Sequence, residues 1–344
     1  MRRDDLYKIT LVIPVYNAEN CLDNVINSII NQSLGFKHIE LILVDDNSSD
    51  NSKNIILDYS KKYDNIKYFF SDKNHGFPGF GRNMGVTLSS SNYLMFVDND
   101  DELDSQMCEN MYNAIEKYGC DMACCDIKEI DNISEEVHKV GPSINSDKYV
   151  VVQDDEIFDY DTGLVWNKIF KKDIIEKFEI KFLTDNYCDD QAFSIEYMLH
   201  CENIVYLNNY AGYLWMRRND SLSNSKELKN LKSLFLGYDY MVDLLVKNNK
   251  KYLINIVSDS GTLYLLIQST LLKSRDERRK FLELLYEFEK KCDFNVNVNS
   301  FFFSVTNFFV IKRKFNIALL LLSLFNKLKS FSVIIKFYRK IHNR

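Results

Sequence analysis

The sequence predicts an α/β fold: a mostly parallel sheet flanked by helices, followed by an α-helical C-terminal region. Three observations carry this expectation. Short apolar runs alternate with amphipathic helical stretches over residues 1–127, two of the runs end abruptly in aspartates, and beyond about residue 225 apolar residues recur at spacings of three and four. Alternation of strand and helix is the pattern of a doubly wound sheet with right-handed crossovers.

In chain order, residues 9–15 read as an apolar strand closed by Pro14, Tyr16 and Asn17. A helix follows with Leu22, Val25, Ile26, Ile29 and Ile30 on one face, ending before residues 33–35. Residues 38–44 form the second strand, and the acidic stretch 45–50 opens a helix running to about Lys62. Then come a strand at 66–70, a helix at 79–89, a strand at 92–97, a helix at 104–118 and a strand at 121–127. Residues 128–160 are polar and acidic and read as a surface excursion. Order returns at 163–170, and an acid pair, Asp189-Asp190, precedes an amphipathic helix carrying Phe193, Ile195, Tyr197, Met198 and Leu199. Two short strands at 204–207 and 211–215 and a loop at 217–223 close a first domain of residues 1–225, which divides into halves of about 1–127 and about 128–225. Helices at 231–246, 252–272 and 275–291 open the second, 226–344, which ends in a basic amphipathic tail.

Leu94-Met95-Phe96-Val97 runs straight into Asp98-Asn99-Asp100-Asp101. Ligands of open α/β sheets gather beyond the carboxyl ends of the strands, and clustered carboxylates there call for a cation. A hard divalent ion held by one or two carboxylates and a substrate phosphate meets that demand. The alternative is a solvated acidic turn leading into the next helix, with Asp104 and Ser105 as N-cap types. Asp45 and Asp46 end the second strand in the same way, so both clusters open on one edge of the sheet. Between them, Gly76, Gly79 and Gly81 let backbone approach a ligand closely, and Arg82 offers a planar donor set suited to phosphate. Asp189-Asp190 reads either as carboxylates at a helix start or as a catalytic base facing a cleft.

Composition narrows the class. With 344 residues, 46% apolar, three prolines and eleven glycines, the chain is globular, with no solenoid repeat. Residues 300–344 hold nine Lys or Arg and no Asp or Glu, leaving –15 on the remainder. A cationic tail on an anionic body suits a peripheral membrane contact, or else a helical subdomain or oligomer face. The acidic body and the lack of a nucleic-acid motif argue against nucleic acid. The eight cysteines form no paired ladder; Cys120, Cys124 and Cys125 lie in an apparent strand without nearby histidines and read as core. Residues 1–8 are charged without an apolar core, so no signal peptide is expected, and the apolar run at 317–325 is too short to span a bilayer.

Six motifs stand in one order: Ile13-Pro14-Val15-Tyr16-Asn17, Val44-Asp45-Asp46-Asn47-Ser48-Ser49-Asp50, Gly81-Arg82-Asn83-Met84-Gly85, Asp98-Asn99-Asp100-Asp101, Trp166-Asn167-Lys168 and Asp189-Asp190. On these residues 8–223 resemble glycosyltransferase family 2, inverting nucleotide-sugar transferases of the GT-A fold. The resemblance implies that Pro14, Tyr16 and Asp46 line the nucleotide base and ribose and that Arg82 approaches the diphosphate. It implies a Mg²⁺ or Mn²⁺ on Asp100, with Asp98 beside it. Asp190, with Asp189 as its neighbour, would deprotonate an acceptor hydroxyl; the family usually has Glu-Asp at this place, so either carboxylate is a candidate. Trp166, Lys168, Arg217 and Arg218 are acceptor-side or diphosphate-closing candidates. The implied donor is a UDP-sugar, the acceptor a saccharide or lipid-linked saccharide of a cell-surface polymer, and the place the cytoplasmic face of the membrane. A sugar nucleotidyltransferase is the other enzyme reading, but it needs a glycine-rich basic loop after the first strand, where Tyr16-Asn17-Ala18-Glu19 stands. A non-catalytic nucleotide-sugar binder is the third.

Overall fold

The computed structural model describes residues 7–131, 135–138, 148–160, 163–217, 228–270, 272, 274–294, 297–298 and 300–327. The chain forms two compact units: residues 1–185 with 189–219, and residues 186–188 with 220–344. The boundary expected near residue 225 lies outside the described residues.

The first unit is built on β1 (Ile9–Val15), β2 (Ile39–Asp45), β3 (Ile66–Phe70) and β4 (Tyr93–Phe96), in spatial order β3-β2-β1-β4 and all parallel. β1 and β2 are buried almost throughout, as strands covered on both faces must be. Helices α1 (Leu22–Ile30), α2 (Ser52–Lys62) and α3 (Gly79–Leu88) make the crossovers. α3 lies unusually close to β1: a Cβ on Gly85 would stand 2.1 Å from Val12 Cγ1, and one on Gly81 would stand 2.9 Å from Pro14 Cβ. Only glycine permits that approach.

The second half of the sheet departs from the mostly parallel expectation. After β5 (Glu102–Leu103) and α4 (Met107–Tyr118) come β6 (Met122–Ile130), β7 (Glu135–His138), β8 (Tyr149–Gln153) and β9 (Lys168–Lys171). β9 is inserted antiparallel between β4 and β6, and β7 and β8 are antiparallel additions within the stretch read as a surface excursion. β7 is half-exposed and charge-bearing, and β8 carries three consecutive valines, so neither shows a clean period of two. α5 (Lys172–Lys177) and α6 (Asp189–Met198) precede β10 (Asn203–Met216). The two short strands expected there are one long strand, parallel to β6, whose register shifts between Leu207 and Tyr213. α4 starts three residues later than expected, because Asp104 Oδ1 is taken up by Gln106 N (3.1 Å) and the Tyr210 hydroxyl (2.7 Å).

The second unit comprises α7 (Leu228–Lys247), α8 (Ile254–Ser269), α9 (Arg275–Lys291), α10 (Phe301–Ile311) and α11 (Phe315–Lys327). α9 begins with a reciprocal cap: Glu277 N donates to Ser274 Oγ (3.0 Å) and Ser274 N to Glu277 Oε2 (3.2 Å). Its buried Phe281, Leu282 and Leu285 join Met241, Val257 and Leu266 in the core of this unit. Among the described residues no helix is long and apolar enough to cross a membrane.

Candidate active site

The parallel register sets the site. Val15 is level with Asp45, and Val12 is level with Phe96, so the segments after β1, β2 and β4 emerge on one edge of the sheet. At the first edge segment, Asn17 takes a left-handed φ of 48°. Its Oδ1 accepts from Ser49 N (2.9 Å), while Ser48 Oγ accepts from Asn17 N (2.9 Å). Asp50 accepts from the backbone N–H groups of Glu19 and Ser52 (2.9 Å each), and these bonds hold its carboxyl below its ordinary range despite burial. Asp45 likewise accepts from Ser48 N (3.1 Å). Asn17 and Asp50 thus clasp two loops together, leaving Asp46 at the edge beside exposed Tyr16 and half-buried Pro14.

Asp46 has a partner that the sequence did not reveal. Its Oδ2 accepts from His75 N (2.8 Å), and its Oδ1 lies 2.6 Å from His75 Nδ1. The imidazole stacks on Phe80 with ring centroids 3.6 Å apart. This fixes the ring and directs it by its Nδ1 at Asp46.

Arg82 is the centre of the site. It is 2% exposed, and its Nη2 donates to Asp98 Oδ1 (2.7 Å), while Nη1 donates to Asp189 Oδ2 (2.6 Å) and to Asp190 Oδ1. Burial alone would lower its pKa, but Asp190, Asp189 and Asp98 together hold it above its ordinary value. Burial raises the Asp189 and Asp190 carboxyls; Arg82 pulls both down, and neighbouring carboxylates push them up again. The net direction is upward for both, furthest for Asp190. Residues 107 and 108 positions apart in sequence thereby meet at one guanidinium. Of the three glycines expected to admit a ligand, Gly81 seats α3 on β1, as Gly85 also does, and Gly79 sits against the Leu183 carbonyl, while a Cβ on Gly76, at a φ of 84°, would meet nothing nearer than Asn74 Oδ1 at 4.0 Å.

Asp98 keeps a third of its side chain exposed, and Asp100 is half-buried. Asp101 is buried and bridges to β10: its Oδ2 accepts from the Tyr213 hydroxyl (2.7 Å) and its Oδ1 from Met216 N (2.8 Å). Burial, then Asp98 and Asp100, raise its pKa well above the carboxylate range. The Tyr213 hydroxyl also accepts from Asp98 N (3.2 Å). Trp166 stacks on the same Tyr213 ring at 4.1 Å and is buried, so its face is turned to protein. Asn167 is pinned to β6 through Cys125 O (2.8 Å), and the fully buried Lys168 donates to the Leu164 carbonyl while its charge lowers the pKa of Asp190. Arg217 is exposed and paired with Glu129 (2.9 Å). Arg218 lies outside the described residues.

Asp98, Asp100, Asp101, Asp189 and Asp190 face two cations, Arg82 and Lys168. This acid surplus fits a divalent cation at Asp98 and Asp100, two carboxylates being enough when a diphosphate completes the shell. Among the described residues, the His and carboxylate set with three ligand atoms within 4.8 Å of one another is a different one, Glu129, Glu136 and His138. Glu129 there is bound by His138 Nε2 (2.8 Å) and by Arg217.

A parallel half joined to an antiparallel-edged half, with aspartates following β2 and β4, is the arrangement of the GT-A glycosyltransferase fold. Residues 10–178 match the family model for Glycosyl transferase family 2. Residues 10–178 thus form a domain of that family. The chain is 29% identical over 218 residues to a poly(ribitol-phosphate) beta-glucosyltransferase of Bacillus spizizenii, covering 61% of this chain and 32% of that protein. It is 28% identical over 239 residues to a GalNAc(5)-diNAcBac-PP-undecaprenol beta-1,3-glucosyltransferase of Campylobacter jejuni, covering 69% of this chain and 74% of that one. The fold matches S. aureus TarS residues 1–349 in complex with UDP-GlcNAc, with a TM-score of 0.74 at 18% identity over 94% of this chain and 93% of that one. This chain therefore spans about a third of the length of the Bacillus relative.

Proposed function

We propose that this protein transfers a sugar from a nucleoside-diphosphate donor, of the UDP-sugar class, to an acceptor hydroxyl with inversion at the anomeric carbon. The observation that carries the reading is the single guanidinium of Arg82 joined to Asp98 on one side and Asp189 and Asp190 on the other. Arg82 acts here on the acids rather than on the diphosphate. It holds the donor-side and acceptor-side carboxylates in fixed relation, which is the positioning that a single displacement requires.

Tyr16, Pro14 and the Asp46–His75 pair receive the base and ribose. Asp98 and Asp100 hold a Mg²⁺ or Mn²⁺, which when bound neutralises charge on the leaving diphosphate. Asp190, with Asp189 beside it, takes the proton of the acceptor hydroxyl as that oxygen bonds to the anomeric carbon. The bond to the diphosphate oxygen breaks, and its electron pair leaves with the nucleotide. A carboxyl raised above its ordinary pKa is a better proton acceptor than a free one, and a placed base contributes about 10²- to 10⁴-fold. Arg217 and Arg218 are assigned acceptor-side or diphosphate-closing roles.

The acceptor class is a saccharide or lipid-linked saccharide of a surface polymer, and the place of action the cytoplasmic face of the membrane. The polymer and undecaprenol-linked acceptors in the relatives' names support this class. The test is release of nucleoside diphosphate from a panel of nucleotide sugars, with Mn²⁺ and with chelator. Turnover of a UDP-sugar that chelator abolishes is expected. Failure of every nucleotide sugar to bind or turn over would sink the reading.

A further inference from the structure

Exposed apolar surface is concentrated at the α10–α11 hairpin. Of fourteen large apolar side chains that stand exposed among the described residues, four lie in this hairpin: Phe308 (53%), Ile317 (41%), Leu320 (60%) and Leu324 (47%). Positions 317, 320 and 324 follow helical spacing and share one face of α11, while Ala318, Leu319 and Leu322 are buried on another. α11 therefore has an inner apolar face that packs and an outer one that none of the described residues of this unit covers.

The connection between the two helices is Lys312-Arg313-Lys314, all exposed. Lys312 Nζ lies 5.9 Å from the Phe308 ring centroid, so charge and apolar surface are adjacent. Arg313 is held by Glu287 at 3.4 Å and over the Tyr286 ring, which leaves Lys312 and Lys314 as the cations at this turn. No Asp or Glu occurs from residue 300 to 344, against nine Lys or Arg.

This charge selects the occupant. A second copy would bring the same cationic surface against itself, which like-charge repulsion disfavours. Apolar side chains framed by lysines are the complement of an anionic lipid interface. We propose that the outer face of the hairpin, Phe308, Ile317, Leu320 and Leu324 with Lys312 and Lys314, docks on an anionic lipid bilayer. The proposal deepens the lipid-linked acceptor reading, on which its purpose rests, and places membrane contact on folded helices as well as on the basic tail.

Co-sedimentation of the full chain with phosphatidylglycerol-containing and pure phosphatidylcholine vesicles tests it. Wild type should pellet with the anionic vesicles and be released by salt. Lys312→Glu/Lys314→Glu, a change confined to exposed polar positions, and Leu320→Asp/Leu324→Asp should each weaken binding by about tenfold or more, with membrane-free hydrolysis of the donor unchanged. Equal binding by the variants, or no binding by wild type, overturns the proposal. So does light scattering that shows the Leu variants splitting an oligomer, since another copy would then cover the face. Vesicle binding without any nucleotide-sugar turnover would leave the docking surface standing and remove the enzymatic reading instead.

Discussion

At the scale of single residues, Arg82 decides most. Three carboxylates around a buried guanidinium are stable only while the cation is present, because truncating one partner of a buried pair leaves the others uncompensated. Arg82→Ala should cost about 3 kcal/mol of stability and lower turnover by about 10²-fold through misplacement of the acids, measured by thermal unfolding and by nucleoside-diphosphate release. Arg82→Lys should recover part of the stability but little of the rate, since a point charge lacks the planar fork that reaches Asp98 and the 189–190 pair together. A wild-type melting point and rate in Arg82→Ala would remove Arg82 from the account. The sequence exposed the acids themselves, because carboxylates directly after an apolar run are visible in one dimension. It could not expose the meeting of Arg82 with Asp189 and Asp190, which depends on how α3 and α6 are brought together across the sheet edge. His75 and Tyr213 were hidden for the same reason: nothing around them in sequence announces Asp46 or Asp101 as a partner.

At the scale of elements, β1 to β4 and α1 to α3 were legible because parallel buried strands and amphipathic helices each carry a clean period. β7 and β8 were not, since an exposed, charged edge strand such as β7 resembles a loop and the short uncharged run of β8 shows no alternation of apolar and polar residues. The close seat of α3 on β1 also escaped, because a glycine such as Gly81 looks the same whether it admits a ligand or a strand. In the helical unit, Glu289 of α9 is buried, and this raises its carboxyl from an ordinary 4.5 to about 7, with Asn307 and Thr262 pulling the other way. A carboxyl raised on folding binds its proton more tightly in the native state. Its stabilising contribution is complete below the unfolded value of 4.5 and is lost as pH rises to the folded value of about 7. The loss is about 3 kcal/mol at most. Glu289→Gln should flatten the pH dependence of unfolding of the helical unit across that window and raise its melting point at pH above about 7. An unchanged pH profile would mean that Glu289 stays ionised inside the fold.

At the scale of the whole molecule, one chain joins a domain of glycosyltransferase family 2 to a helical unit of different charge character. The family was legible from six short motifs in order, and the shared edge of Asp46 and Asp98 from two apolar runs that each end in aspartate. The helical unit carries no such motifs; its exposed apolar stripe emerges only when burial separates the inner from the outer face of α11. The central claim is a single displacement in which Asp190 takes the acceptor proton and the sugar inverts. The most direct measurement is the anomeric configuration of the product, read by NMR from the one-bond or vicinal couplings of its anomeric proton, with an α-linked UDP-sugar as donor. The account predicts a β-linked product; an α-linked product would contradict it.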